Sequence, residues 1–249
     1  MRCVRVLLVA LCMVVCTAQA SALTVNFDAD LEEWTGADVT DLGTRAAPDG
    51  GSYTLLASYD ADNFYLGMDR GDTERYLGDT GWDNDSFFVA VDVDGTAASG
   101  GATGAYGIAS FGGTYLPDLI YAFEGGPHWY HTFTWDGSSF VDNSDWGQSG
   151  VIYGGPTWGD DDEFALDPAS IGGEDGEVRI WAWMTREGNE GGYIEASWPS
   201  GKTSIWDEQT QSATHPTFGD GVVLVPEPTT LALLGLGSLA MTLKRRRAN

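Results

Sequence analysis

Cysteine is confined to one end of this 249-residue sequence: Cys3, Cys12 and Cys16 are its three thiols, and none follows. Disulfides, thiolate metal sites and cysteine nucleophiles are therefore excluded beyond residue 16, even in an oxidising compartment. Basic residues are also scarce, with 12 Lys+Arg against 37 Asp+Glu. That balance excludes nucleic acid and anionic lipid as partners, because both need clustered positive charge. No long amphipathic helical pattern is present, and neither is G-x-S-x-G, H-E-x-x-H or a phosphate-cradling glycine loop. Glycoside hydrolysis needs two carboxylates at a defined separation, and among so many acids no pair stands out by a local motif. His128 and His131 lie three apart on an expected strand, so they face opposite ways and make a poor metal pair. The expectation is a chain that is not an enzyme.

The two ends carry processing signals. Residues 1–22 read as a basic start (Arg2, Arg5), an apolar run from Val6 to Val15, then Ala18, Ala20 and Ala22 at A-x-A spacing. These are the parts of a secretory signal peptide, cleaved after Ala20 or Ala22. The apolar run is too short to cross the ~30 Å hydrocarbon core. Residues 225–249 read Val225-Pro226-Glu227-Pro228, an apolar stretch from Thr229 to Leu243, and the basic end Lys244-Arg245-Arg246-Arg247. As a helix the stretch would reach roughly 22 Å, a short transmembrane helix whose basic end stays cytoplasmic and leaves the domain outside.

This order of parts resembles the PEP-CTERM sorting tail of Gram-negative-type bacteria. The resemblance implies a sorting motif at Pro226, Glu227 and Pro228, processing by an exosortase and transient residence in the inner membrane. It also implies delivery to the cell surface, the outer membrane or an extracellular exopolysaccharide matrix.

Residues 23–224 form the expected domain, a size suited to one β-sandwich. Setting aside the six basic residues and Glu227 of the two ends leaves 6 Lys+Arg and 36 Asp+Glu, a formal charge of −30. Solubility outside the cell and cation binding both account for that acidity. All ten tryptophans lie here, so the segment is no disordered acidic tail. Strands are expected at Leu23 to Phe27, Thr54 to Tyr59, Phe64 to Met68, Asp85 to Asp94, Ala105 to Phe111, Asp118 to Phe123 and His128 to Trp135. Others are expected at Glu163 to Leu166, Val178 to Thr185, Tyr193 to Trp198 and Phe218 to Leu224. Asp60 to Asn63 and Asp136-Gly137-Ser138 read as turns, and Gly95 to Gly104 as a surface loop. The pattern predicts an all-β, antiparallel, jelly-roll-like sandwich.

Asp28-Ala29-Asp30-Leu31-Glu32-Glu33-Trp34 resembles the opening of family 9-like carbohydrate-binding (DOMON-like) modules. Ser58 to Leu66, Asp83 to Asp94 and Glu163-Phe164-Ala165-Leu166-Asp167-Pro168 are similar to their later elements, in the same order. Asp167 stands where that family more often has an apolar residue, and residues 96–162 have no counterpart. The resemblance implies a sandwich that binds sugar and in which calcium sites occur.

Hard cations take six to eight oxygens. Asp83, Asp85, Asp92 and Asp94 are the candidate Ca²⁺ ligands, although Asp in turns also caps backbone amides without metal. Pyranose rings stack on flat aromatics. The candidate sugar-binding residues are Trp129, Trp135, Trp146 and Trp158, with a second platform of Trp181, Trp183 and Arg179; either set could equally be core. Three readings stay open: a non-catalytic module for a polysaccharide, a structural matrix or surface-layer protein, and a polysaccharide-active enzyme.

Overall fold

The computed structural model describes residues 23, 25–27, 30–36, 39–46, 51–59, 63–70, 86–123, 130–143, 151–154, 161–166, 171, 177–186, 193–207, 209 and 212–224. Both expected terminal signals lie outside them. Among the described residues no helix is long and apolar enough to cross a membrane.

In chain order the strands are β1 (Thr40–Ala46), β2 (Ser52–Tyr59), β3 (Phe64–Asp69), β4 (Ser86–Asp92), β5 (Ser110–Phe111), β6 (Leu119–Phe123), β7 (Tyr130–Trp135) and β8 (Phe140–Asp142). There follow β9 (Val151–Gly154), β10 (Asp161–Leu166), β11 (Val178–Arg186), β12 (Tyr193–Trp198), β13 (Ile205–Asp207), β14 (Ser212–Thr214), β15 (Thr217–Phe218) and β16 (Val222–Leu224). One sheet runs β1-β2-β3-β10-β9, and a second runs β12-β11-β4-β6-β7-β8 with β16 added against β11. Every pairing within these two sheets is antiparallel.

Side chains alternate across a strand, so each sheet buries one set inward. Tyr53, Leu55, Phe64, Leu66 and Phe164 of the first sheet meet Phe87, Val89, Ile180, Ala182 and Met184 of the second in one core. Phe164 sits at its centre, with ring centroids 4.4 Å from Phe123 and 5.3 Å from Phe87.

The opposite faces are covered too. Outside the second sheet, Phe88, Ala90, Ile120, Phe133, Trp181 and Trp183 pack under Ile108, Phe111 and Phe218. Outside the first, Tyr65 and Ala165 pack under Leu23 and Trp34. Trp34 donates its indole N–H to the buried carboxylate of Glu163 at 2.9 Å. A Cβ on Gly67 would come within 3.0 Å of the Trp34 ring, so glycine is what lets the tryptophan lie flat on the sheet. The opening and late elements singled out in the sequence thus touch each other.

Several expected strands differ. Leu23 and residues 25–27 are covering chain rather than strand. Ala105 to Phe111 is broken by a 3₁₀ turn at Ala105–Gly107, because Tyr106 (φ 54°) and Gly107 (φ 71°) are left-handed. Phe218 to Leu224 is split into β15 and β16. β15 pairs in parallel with β5, and the intervening Asp220 carboxylate accepts the Thr114 and Tyr115 amides at 2.7 and 3.2 Å. Asp94 falls beyond β4, in a bend that includes Gly95 (φ 60°). Strands β1, β8, β9, β13 and β14 were not anticipated.

Candidate aromatic groove and acidic triad

β7 and β8 form a hairpin at the margin of the second sheet, closed by the expected turn. The Asp136 carboxylate accepts the Ser138 and Ser139 amides at 2.8 and 2.9 Å. Those bonds hold its carboxyl below the ordinary value, the Ser139 amide most. Register places Phe133 opposite Asp142 and Trp135 opposite Phe140, so all four share one face.

The 102–106 segment faces this hairpin across a cavity of about 480 Å³, lined by Tyr106, Phe133, Trp135, Ser139, Phe140 and Asp142 among others. Tyr106 stands edge-on to Phe133, with centroids 5.1 Å apart and planes at 79°. It is 38% exposed, and its left-handed backbone costs roughly 1–2 kcal/mol for a residue with a Cβ. Such strain concentrates at binding sites. Trp135 and Phe140 are half-buried, with centroids 5.4 Å apart. Gly101 presses on both rings, since a Cβ there would lie 2.5 Å from Phe140 Cε2 and 2.7 Å from Trp135 Cε3. At the far end His131 Nδ1 and Asp142 Oδ2 are 3.1 Å apart.

A second cluster adjoins the groove. One carboxylate oxygen each from Asp92, Asp94 and Asp118 lies within 4.8 Å of the others. Asp92 ends β4 and Asp118 precedes β6; these strands pair antiparallel with Val91 opposite Leu119, bringing the two together. The Asp118 amide donates to Val91 O, and its carbonyl accepts the Trp135 amide, each at 2.8 Å. The triad is therefore one residue from the groove wall.

Burial pushes the Asp92 carboxyl up, and Asp118 and Asp94 push the same way against the Gly95 amide and Arg179. Burial also raises Asp118, with Asp94 adding to it and the Val93 amide opposing. Asp94 accepts the Thr96 amide at 2.7 Å and the Ser99 hydroxyl at 2.9 Å, so the loop entering the groove wall starts from the triad. Oxygen-only ligands of this kind suit calcium or another hard cation.

Of the candidate metal ligands, Asp92 and Asp94 come together, and Asp83 and Asp85 lie outside the described residues. Asp118 was not anticipated; its only signal was its place at the head of a strand following Asp94. Of the candidate sugar residues, Trp135 lines the groove, whereas Trp129, Trp146 and Trp158 lie outside the described residues.

The expected Trp181/Trp183 platform is corrected. These side chains are 1% and 0% exposed, and Trp183 stacks on Phe88 at 5.1 Å and 3° beneath Phe111 and Phe218. Arg179 is likewise withdrawn from a sugar role. It donates to Asp92 Oδ2 at 3.3 Å, and its guanidinium lies 3.6 Å over the Tyr115 ring.

Residues 224–247 match the PEP-CTERM protein-sorting motif. The motif marks an exported chain sorted through exosortase processing at the cell envelope. No curated protein and no solved structure matches the chain.

Proposed function

We propose that this exported chain is a non-catalytic carbohydrate-binding protein, displayed at the cell surface or in the extracellular matrix after exosortase processing. The observation that carries the reading is the groove at the β7–β8 margin. It sets partly exposed Trp135 and Tyr106 rings beside the Asp142 carboxylate and Ser139, the pairing of apolar faces and hydroxyl partners that a pyranose needs.

Calcium belongs to the same reading. Asp92, Asp94 and Asp118 would supply three of its oxygens and relieve their mutual repulsion. In doing so they would brace the loop that becomes the groove's other wall.

Glycan-array and affinity-gel screening of the secreted protein, with calcium and with chelator, tests both parts. Retardation by a polysaccharide that Trp135→Ala and Tyr106→Ala remove is expected, with weaker retardation in chelator. Absence of retardation by every glycan in both conditions would overturn the reading. A structural matrix role is the second reading, favoured by Ile205, which is 72% exposed on the β13–β14 ribbon. Self-association without glycan affinity would select it.

A further inference from the structure

Resting on the glycan reading, we infer that the groove selects uncharged polysaccharide and rejects chains bearing carboxylate, sulfate or phosphate. No lysine or arginine occurs anywhere between Arg75 and Arg179. Every residue lining the cavity, from Ala102 to Asp142, lies inside that interval.

Among the described side chains, four basic groups brought from elsewhere are occupied. Arg179 is held by Asp92 and Tyr115, and Arg70 lies 3.0 Å from Asp162. Arg45 donates to the Ser197 and Pro199 carbonyls at 2.9 Å, and Lys202 to the Thr217 carbonyl.

What the groove does contain is one carboxylate, Asp142, whose side chain is 47% exposed and shared with His131. Glycan anions are normally met by Arg or Lys, often bidentately. Here an anionic sugar would stack on Trp135 beside a like charge, inside a domain carrying −30. Neutral vicinal hydroxyls, by contrast, can donate to Asp142. The selection is thus built from repulsion as well as attraction.

Matched polymers that differ only in charge test this on the secreted protein. The pairs are hydroxyethyl- against carboxymethylcellulose and fully methyl-esterified against de-esterified galacturonan. Affinity electrophoresis at 20 and 300 mM salt should show the neutral member of a bound pair at least tenfold tighter at low salt. The gap should narrow at high salt as the like charges are screened.

Asp142→Lys should raise affinity for the acidic member severalfold. Equal or tighter binding of the acidic polymers by the unsubstituted protein would overturn the selectivity and leave the glycan reading standing. Failure of Asp142→Lys to improve acidic binding would show that the groove is not where charge is read, which also overturns it. Retardation by neither member of either pair, with none on a wider neutral and acidic array, would overturn the glycan reading itself.

Discussion

Asp161 sits at the end of β10 directly opposite Asp69 of β3. Burial, with Asp69 as the second cause, pushes its carboxyl up to about 6, although the Arg70 amide donates to it at 3.3 Å. The folded state therefore holds the Asp161 proton more tightly than the unfolded chain, whose carboxyl keeps an ordinary value near 3.8. Between pH 4 and 6 the native protein binds more protons, so stability falls as pH rises through that window and then levels.

A shift of this size corresponds to about 3 kcal/mol if taken whole. Asp161 is only half-buried, however, and solvent screening reduces the expected effect to about 1–1.5 kcal/mol. Asp161→Asn removes the charge and keeps an oxygen for the Arg70 amide. At pH 7 the variant should be more stable by that amount, a rise in Tm of roughly 2–6 °C for a domain of this size. At pH 4 the two proteins should unfold together. Urea or thermal unfolding at pH 4, 5, 6 and 7 measures it. A variant less stable than the parent at pH 7, or a difference independent of pH, would refute the reasoning and assign the Asp161 charge a supporting role beside Arg70.

Next to it, Asp162→Ala removes the buried carboxylate 3.0 Å from the 4%-exposed Arg70 side chain, and chemical unfolding should show a loss of about 3–5 kcal/mol. Trp34→Phe keeps a ring over Gly67 but removes the indole N–H that the buried Glu163 carboxylate accepts, so urea unfolding should show a loss of about 1–3 kcal/mol. Calcium at a hundredfold excess over its Kd should stabilise the domain by about 2.7 kcal/mol in thermal scans. Asp118→Asn should remove most of that response; an unchanged response would move the ion elsewhere.

The inward faces were legible because they depend on local alternation. Phe87-Val89-Val91 and Val178-Ile180-Ala182-Met184 are apolar at every second position and occupy the shared core. The outward faces were not legible in the same way. Trp181 and Trp183 have the pattern of an exposed aromatic platform, and it is a cover including Ile108, Phe111 and Phe218, distant from them in the chain, that converts it to interior. Burial by a distant cover leaves no periodic trace at the covered strand.

The groove was half visible for the same reason. Trp135 was read from its strand, but Tyr106 enters only through two left-handed residues in a segment that looked like continuous strand. Asp118 could have been found by pairing logic, since the head of β6 must lie beside the tail of the β4 strand it follows. Arg179 was read with the tryptophans of its face, whereas its cross-strand partner is Asp92.

Position within the second sheet has a mechanical consequence. β16, whose last residue Leu224 opens the matched sorting motif, lies against β11, while the groove opens at β8 on the other margin. Five strand-to-strand steps separate them, roughly 24 Å at the usual spacing. Were the tail to tether the chain and a polymer to occupy the proposed groove, tension would run across the ladder, along the hydrogen bonds rather than along the strands. The first link in that series is β8, three residues paired to β7. The hairpin that grips would therefore peel before the sandwich yields, releasing the polymer and sparing the fold.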